Sequence, residues 1–319
     1  MKLGIIGAGQ IVPEFLQATK KIEDIELEGI CAVGMMDHLL ELQKEYGIKS
    51  VFEDADEMMN TIESDTIYVA VPNHIHYIMA KKALELGKNV ILEKPFTITK
   101  QEAEDLFALA EEKKLFLFEA ITTMHSPNYL KCKEMVKAFP CIKLVYLNYT
   151  QYSSRYDAFK QGEVLPAFDY KKAGGALRDI NIYNIHFVVG LFGKPNEVVY
   201  YPNIVCNVDV SGTLVLKYDD FACTLIGAKD CSNNAEIRIQ GDKQTILSHS
   251  PANVFFQFSK INDKEEETID LLTVKERLYY ELHDFDEIIK NNDYEEMNRL
   301  KEHTLNVMEV VERAFANQH

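Results

Sequence analysis

Short apolar runs alternate with longer amphipathic stretches along the first 120 residues of the chain. Residues 2–6, 26–33, 51–52, 66–71, 89–92 and 115–118 are apolar blocks too short for helices, and they read as strands. Between them, residues 13–22, 36–46, the stretch after Pro72 as far as Leu86, and 100–113 carry the spacing of amphipathic helices. Strands without an obvious polar face, each followed by a helix, predict a parallel sheet covered on both sides. From about Ile121 the alternation stops. A helix over 127–138 leads to a strand over 143–152, a polar loop over 153–168, and a helix running to about Phe192 that is apolar nearly all round. Closely spaced runs at 198–206, 213–218, 221–227, 235–240, 244–247 and 254–259 then predict an antiparallel sheet, with turns at Asp219-Asp220 and Gly241-Asp242. A charged loop at 263–267 and two helices, 274–290 and 294–316, close the chain.

The predicted fold class is α/β: an N-terminal Rossmann-type, doubly wound parallel sheet, then an α+β domain with a large, mostly antiparallel open sheet. The expected division is 1–120 for nucleotide binding and 121–319 for substrate binding and oligomerisation. A length of 319 residues suits two domains.

Composition narrows the partners. A net charge of −16 with no Lys/Arg-rich block argues against nucleic acid. No apolar run approaches membrane-span length, and a first strand starting at Lys2 leads us to expect no signal peptide. Six scattered cysteines without a Cys-x-x-Cys pair suit free thiols, and the expected location is cytoplasmic. His74 and His76 form a His-x-His pair with no third ligand close by. A capping or packing role is expected for them, and no metal site.

The candidate chemistry collects where strands end. The first strand runs into Gly7-Ala8-Gly9-Gln10-Ile11-Val12 and then a helix, the context in which a Gly-x-Gly turn lets a pyrophosphate approach the backbone at a helix N-terminus. The second strand ends in Ala32-Val33, which offers neither an acid for a ribose hydroxyl nor an Arg for a 2′-phosphate, so NAD or NADP is left open. Pro72 and Asn73 close the fourth strand, Glu93-Lys94-Pro95 the fifth and Glu119-Ala120 the sixth. Lys94 is held in an extended backbone by the following proline, at the sheet edge where open α/β folds bind ligands. An ammonium there can donate to a substrate oxygen or shuttle a proton. In the second part, Gly174-Gly175 precedes the apolar helix, on which Asp179, Tyr183 and His186 recur at i, i+4 and i+7. Such a stripe on a buried helix either forms a satisfied internal network, with Asn181 and Asn184, or lines a cavity.

Taken together, Gly7-Ala8-Gly9, Pro72-Asn73, Glu93-Lys94-Pro95 and the Gly174-Gly175 helix resemble the Gfo/Idh/MocA family of oxidoreductases, especially its glucose–fructose oxidoreductase and dihydrodiol dehydrogenase branch. The resemblance spans nearly the whole chain. It implies hydride transfer between NAD(P) and a secondary hydroxyl or carbonyl of a sugar- or polyol-like substrate. It also implies Lys94, Tyr183 and Asp179 as catalytic candidates, and His186, one helical turn further along, is an alternative acid/base. The cofactor would lie against Gly7, Gly9, Gln10, Ile11, Ala32, Pro72, Asn73, Glu93 and Lys94. A homodimer or dimer of dimers through the C-terminal sheet follows from the same likeness. Met124 stands where that branch tends to carry Arg, and Asn181 where Gly is common. Two other readings remain open: a non-catalytic NAD(P) sensor on the same fold, and a reductase of a C=N or C=C bond.

Overall fold

The structure is a computed structural model that describes residues 1–263 and 265–317. Lys264, within the charged loop expected at 263–267, and residues 318–319 lie outside the described residues. The chain forms two compact units. The first comprises 1–120 and 276–304, the second 121–275 and 305–319.

In the first unit, β1 (Lys2–Ile6), α1 (Ile11–Thr19), β2 (Glu26–Cys31), α2 (Met36–Tyr46), β3 (Ser50–Phe52), α3 (Ala55–Thr61), β4 (Thr66–Val69), α4 (His76–Glu85), β5 (Asn89–Glu93), α5 (Lys100–Lys113) and β6 (Leu117–Ala120) follow in order. The six strands lie in the order β3-β2-β1-β4-β5-β6, all parallel. Chain order reverses between β1 and β4, which makes that crevice the switch point of a doubly wound sheet. The helix ends follow local chemistry. Gly47 closes α2 in the left-handed region at φ 71°, and Thr99 and Glu102 form a reciprocal capping box at the start of α5.

The second unit opens with α6 (Pro127–Lys137), β7 (Leu144–Thr150) and α7 (Tyr156–Lys160), the last inside the stretch expected to be a loop. A π-helical turn, Leu177–Asn181, leads into α8 (Ile182–Phe192). The remaining strands are β8 (Glu197–Val205), β9 (Val208–Lys217), β10 (Ala222–Ala228), β11 (Glu236–Gln240), β12 (Gln244–Ser248), β13 (Phe258–Asn262) and β14 (Glu266–Ile269). They form one eight-stranded sheet, β14-β13-β12-β11-β7-β10-β9-β8, antiparallel except between β7 and β10. The strand expected at 254–259 begins only at Phe258. The Asn128 side-chain amide donates to the Phe255 and Phe256 carbonyls, which are thereby withdrawn from any ladder. Residues 266–267, expected in a loop, begin β14.

The closing helices α9 (Tyr279–Asn291) and α10 (Tyr294–Ala316) correct the expected domain division. The segment from Glu276 to Thr304 belongs to the first unit rather than the second. Leu278, Leu282, Phe285, Met297 and Leu300 join its core, where Phe285 stacks on Phe118 at 4.5 Å. The apolar stripe was visible in the sequence, but a stripe does not say which core it covers.

Candidate functional site

Within the first unit, the parallel order brings Gly7, Ala32, Ala70, Lys94 and Ile121's predecessor Ala120 to the carboxyl ends of adjacent strands. Ile6 pairs with Cys31 and Val69, Val69 with Leu92, and Glu93 with Ala120. Gly7 continues the ladder by donating to the Cys31 carbonyl at 2.7 Å. Its φ is +117°, and a Cβ there would lie 2.1 Å from the Ala70 carbonyl oxygen, so only glycine fits. Gly9, by contrast, has nothing within 4 Å of where a Cβ would stand. Gln10 is exposed and gives α1 no side-chain cap. An open glycine before an uncapped helix N-terminus suits the pyrophosphate of a dinucleotide, so these residues fit NAD or NADP. Ala32 is partly buried and Val33 is 84% exposed, so neither puts a charged side chain at the end of β2.

Lys94 follows β5 at the same edge, half-buried, and its bond to Pro95 is cis. Three neighbours fix this segment. Tyr68 donates to the Glu93 carboxylate at 2.6 Å, and the Phe96 N–H donates to Glu119 at 3.2 Å. The other Glu119 oxygen accepts from Thr304 at 2.8 Å. The third neighbour is His76, whose ring nitrogens lie 2.9 Å from the Pro95 carbonyl oxygen and 2.8 Å from that of Val71. His76, for which a capping or packing role is expected, thus stands between the turn carrying Lys94 and the turn carrying Pro72 and Asn73. Burial first, and then Lys94, lowers its pKa against the pull of those carbonyls. A neutral ring donates through one nitrogen only.

Glu93 is expected among the residues lining the cofactor, and its side chain turns away from solvent. It is buried, and its carboxylate is taken up by Tyr68. Burial raises its pKa, the Tyr68 hydrogen bond and Lys94 opposing. The buried Glu281 of α9 repels it and is itself raised well above the ordinary value, mainly by burial.

In the second unit, Gly174 and Gly175 have a structural cause. A Cβ on Gly174 would lie 2.6 Å from the Pro166 carbonyl oxygen. One on Gly175, at φ +124°, would lie 1.9 Å from an Asp209 carboxylate oxygen. That carboxylate accepts from the Leu177 N–H at 2.7 Å and the Tyr200 hydroxyl at 2.8 Å, capping the turn that opens the helix. Burial raises the Asp209 pKa, with those two hydrogen bonds acting the other way.

The expected polar stripe is graded from surface to core. The Asp179 side chain is 35% exposed and ion-paired with Lys229 at 2.6 Å. Tyr183 is 8% exposed and lies tilted against Tyr149, with ring centroids 6.1 Å apart, while His186 is fully buried. Asn181 and Asn184 form the expected internal network: Asn184 donates to Asn181 at 2.8 Å and to the Ile226 carbonyl at 3.1 Å, and Asn181 to that of Leu225 at 3.2 Å. The internal network is thus seen at the two asparagines, and the stripe itself runs from a partly exposed Asp179 to a buried His186. The asparagines are spent on the sheet, and Asp179 keeps an accessible carboxylate. The π-helical turn at Leu177–Asn181 sets where Asp179 falls, a wider winding often found at functional sites.

Sequence reasoning passed over Asp209 and Lys229. A signal for Lys229 was available: like Lys94, it is a charged residue placed directly after an apolar strand. Among the described residues, no group of three or more His, Cys, Asp or Glu side chains is arranged to hold a metal, and no helix is long and apolar enough to cross a membrane.

Comparison with known proteins adds to this geometry. The family model described as "Oxidoreductase family, NAD-binding Rossmann fold" matches residues 1–121. The chain is 31% identical over 318 residues to scyllo-inositol 2-dehydrogenase (NADP(+)) IolU of Bacillus subtilis, covering 98% of this chain and 96% of that one. It is 29% identical over 230 residues to D-xylose 1-dehydrogenase (NADP(+)) of Hypocrea jecorina, over 65% of this chain and 58% of the other. The fold matches that of KijD10, a 3-ketoreductase from Actinomadura kijaniata solved with NADP and TDP-benzene, at a TM-score of 0.87 and 20% identity. That alignment covers 100% of this chain and 98% of the other.

Proposed function

The chain belongs to the Gfo/Idh/MocA oxidoreductase family, and on that premise we propose that it oxidises a secondary hydroxyl of a cyclic polyol or sugar, reversibly, with NAD or NADP. The observation that carries this reading is the near full-length likeness to a scyllo-inositol dehydrogenase. Gly7, Gly9, Gln10, Ile11, Ala32, Pro72, Asn73 and the backbone around Glu93 and Lys94 would hold the cofactor. When bound, the nicotinamide supplies the hydride acceptor.

The chain's own contribution is to the proton and to orientation. As the carbinol carbon loses its hydride, the hydroxyl proton must leave for a base. Lys94 is assigned that role, with Tyr183 the alternative and His186 the less accessible third candidate. Asp179 accepts hydrogen bonds from substrate hydroxyls. We place the enzyme in the cytoplasm and take the open sheet of the second unit as the surface through which two copies pair. Light scattering at micromolar concentration tests that pairing, and a monomer would oppose it.

The activity test is a panel of scyllo-inositol, myo-inositol and D-xylose with each cofactor, read as reduced nicotinamide absorbance. Turnover of one of them supports the reading. Dinucleotide binding without turnover in either direction, including with keto-sugars, would favour a sensor instead.

A further inference from the structure

A lysine with 2% of its side chain exposed is rare, because removing an ammonium from water costs several kcal/mol unless partners replace the water. Lys229 has such partners. Its Nζ lies 2.6 Å from the Asp179 carboxylate, donates to the Ala167 carbonyl at 2.6 Å, and stands 4.3 Å above the centroid of the Phe168 ring. Its backbone N–H donates to the Val210 carbonyl at 2.8 Å. Asp179, the other member of the pair, keeps a third of its side chain open. The carboxylate is thus held from the interior by a fixed cation, while part of its side chain reaches the surface.

We propose that Lys229 is a positioning residue for the reaction: it locks the Asp179 carboxylate, ionised and in one orientation, as the acceptor for a hydroxyl of a polyol substrate. This rests on the dehydrogenase reading above. Three features of the fold converge on the pair. The π-helical turn Leu177–Asn181 carries Asp179. The Gly174-Gly175 turn lets Asp209 cap that same turn, so the carboxylate sits on an anchored backbone. Lys229 follows strand β10 directly, and the Pro166–Phe168 turn supplies it with the Ala167 carbonyl and the Phe168 ring. An Asp that had to exchange protons with substrate would be poorly served by a buried ammonium at 2.6 Å, which favours its anion. An Asp that only accepts hydrogen bonds is well served. Lys229 therefore assigns the proton to another group and the hydroxyl contact to Asp179.

The test compares Lys229→Met, Lys229→Arg, Asp179→Asn and the double variant Lys229→Met/Asp179→Asn, using the polyol panel and NADP or NAD. Lys229→Met is expected to lower kcat/KM about 100-fold, mostly through KM, with Lys229→Arg recovering much of the loss and dinucleotide affinity unchanged. The double variant is expected to be no worse than Asp179→Asn alone, because Lys229 acts through Asp179. Losses that multiply in the double variant, or Lys229→Met turning over like the wild type, would overturn the proposal. A readout independent of turnover is the carboxyl carbon of Asp179 by 13C NMR. Its titration should move to higher pH in Lys229→Met, and an unmoved titration would also overturn it. If the wild type bound no dinucleotide and turned over nothing, the dehydrogenase reading would fall, while the NMR result would still decide whether the pair controls the carboxylate. Should Lys229→Met not fold, the double variant, which leaves no charge buried alone, and Lys229→Arg carry the comparison.

Discussion

The rim of the parallel sheet and the turn at the head of α8 build function in opposite ways. At the rim, what matters is backbone: a left-handed Gly7, an open Gly9, and strand ends brought level by a parallel ladder. At the head of α8, what matters is side chains recruited from afar. Asp209 reaches Leu177 across 32 residues, and Lys229 reaches Ala167 across 62. The first kind of site is written in short local motifs at successive strand ends. The second is written only in the fold. A sheet edge can be reused for a shared cofactor, whereas recruited side chains are free to differ from one family member to the next.

The largest loss is expected at Lys94, the one rim position where a side chain is assigned chemistry. Lys94→Met should lower kcat by roughly 1,000-fold while cofactor affinity, measured by calorimetry, stays within about threefold. A variant that turns over normally would return Lys94 to the class of solvated strand-end lysines.

Next come the two left-handed glycines, one in each region. Gly7→Ala must move the Ala70 carbonyl, and Gly175→Ala must displace the Asp209 carboxylate. Each should cost about 2–4 kcal/mol in denaturant unfolding. Their consequences should divide. Gly7→Ala abolishes dinucleotide binding, whereas Gly175→Ala spares it and loses substrate affinity. Equal losses of both functions from each variant would erase the distinction between the regions.

Much of the first unit was legible because its signals are local. Gly47 and the strand–Gly-x-Gly–helix order each fix a boundary within a few residues. What stayed hidden had physical reasons. The direction of Glu93 was unreadable because Val90 to Leu92 are all buried, and a strand covered on both faces shows no alternation. The helix α3 escaped because it spans only seven residues and buries only Met58 and Met59. The stripe of α9 announced a helix but not its destination in the first unit. In the second unit, Gly174-Gly175 stood out, yet its cause, the carboxylate of Asp209, lies on another strand. The stripe Asp179–Tyr183–His186 was found by periodicity. The wider π-helical turn and the buried Lys229 that orients its first member leave no periodic trace.

The smallest predicted effect concerns stability against pH. Burial, and then repulsion from Glu93, raises the Glu281 pKa well above 4.5, with Arg277 opposing. The folded protein therefore holds this proton more tightly than the unfolded chain does. The contribution to stability is fully present below about pH 4.5 and is lost as pH rises through the folded-state pKa. Glu281→Gln, which cannot ionise, should be more stable than the wild type at pH 8 by about 1–2 kcal/mol, and the advantage should vanish toward pH 4. Thermal unfolding at the two pH values measures it. A constant difference would mean that Glu281 does not titrate between them.

We assign the rim from Gly7 to Lys94 as a nicotinamide dinucleotide site. Calorimetric titration of the wild-type protein with NADPH and with NADH tests it most directly, and it suits a chain that has no tryptophan for fluorescence quenching. Micromolar or tighter binding of at least one of them is expected, and its loss in Gly7→Ala. Binding of neither to a folded wild type would reduce Gly7 to a turn and leave Lys94 without a reaction to serve.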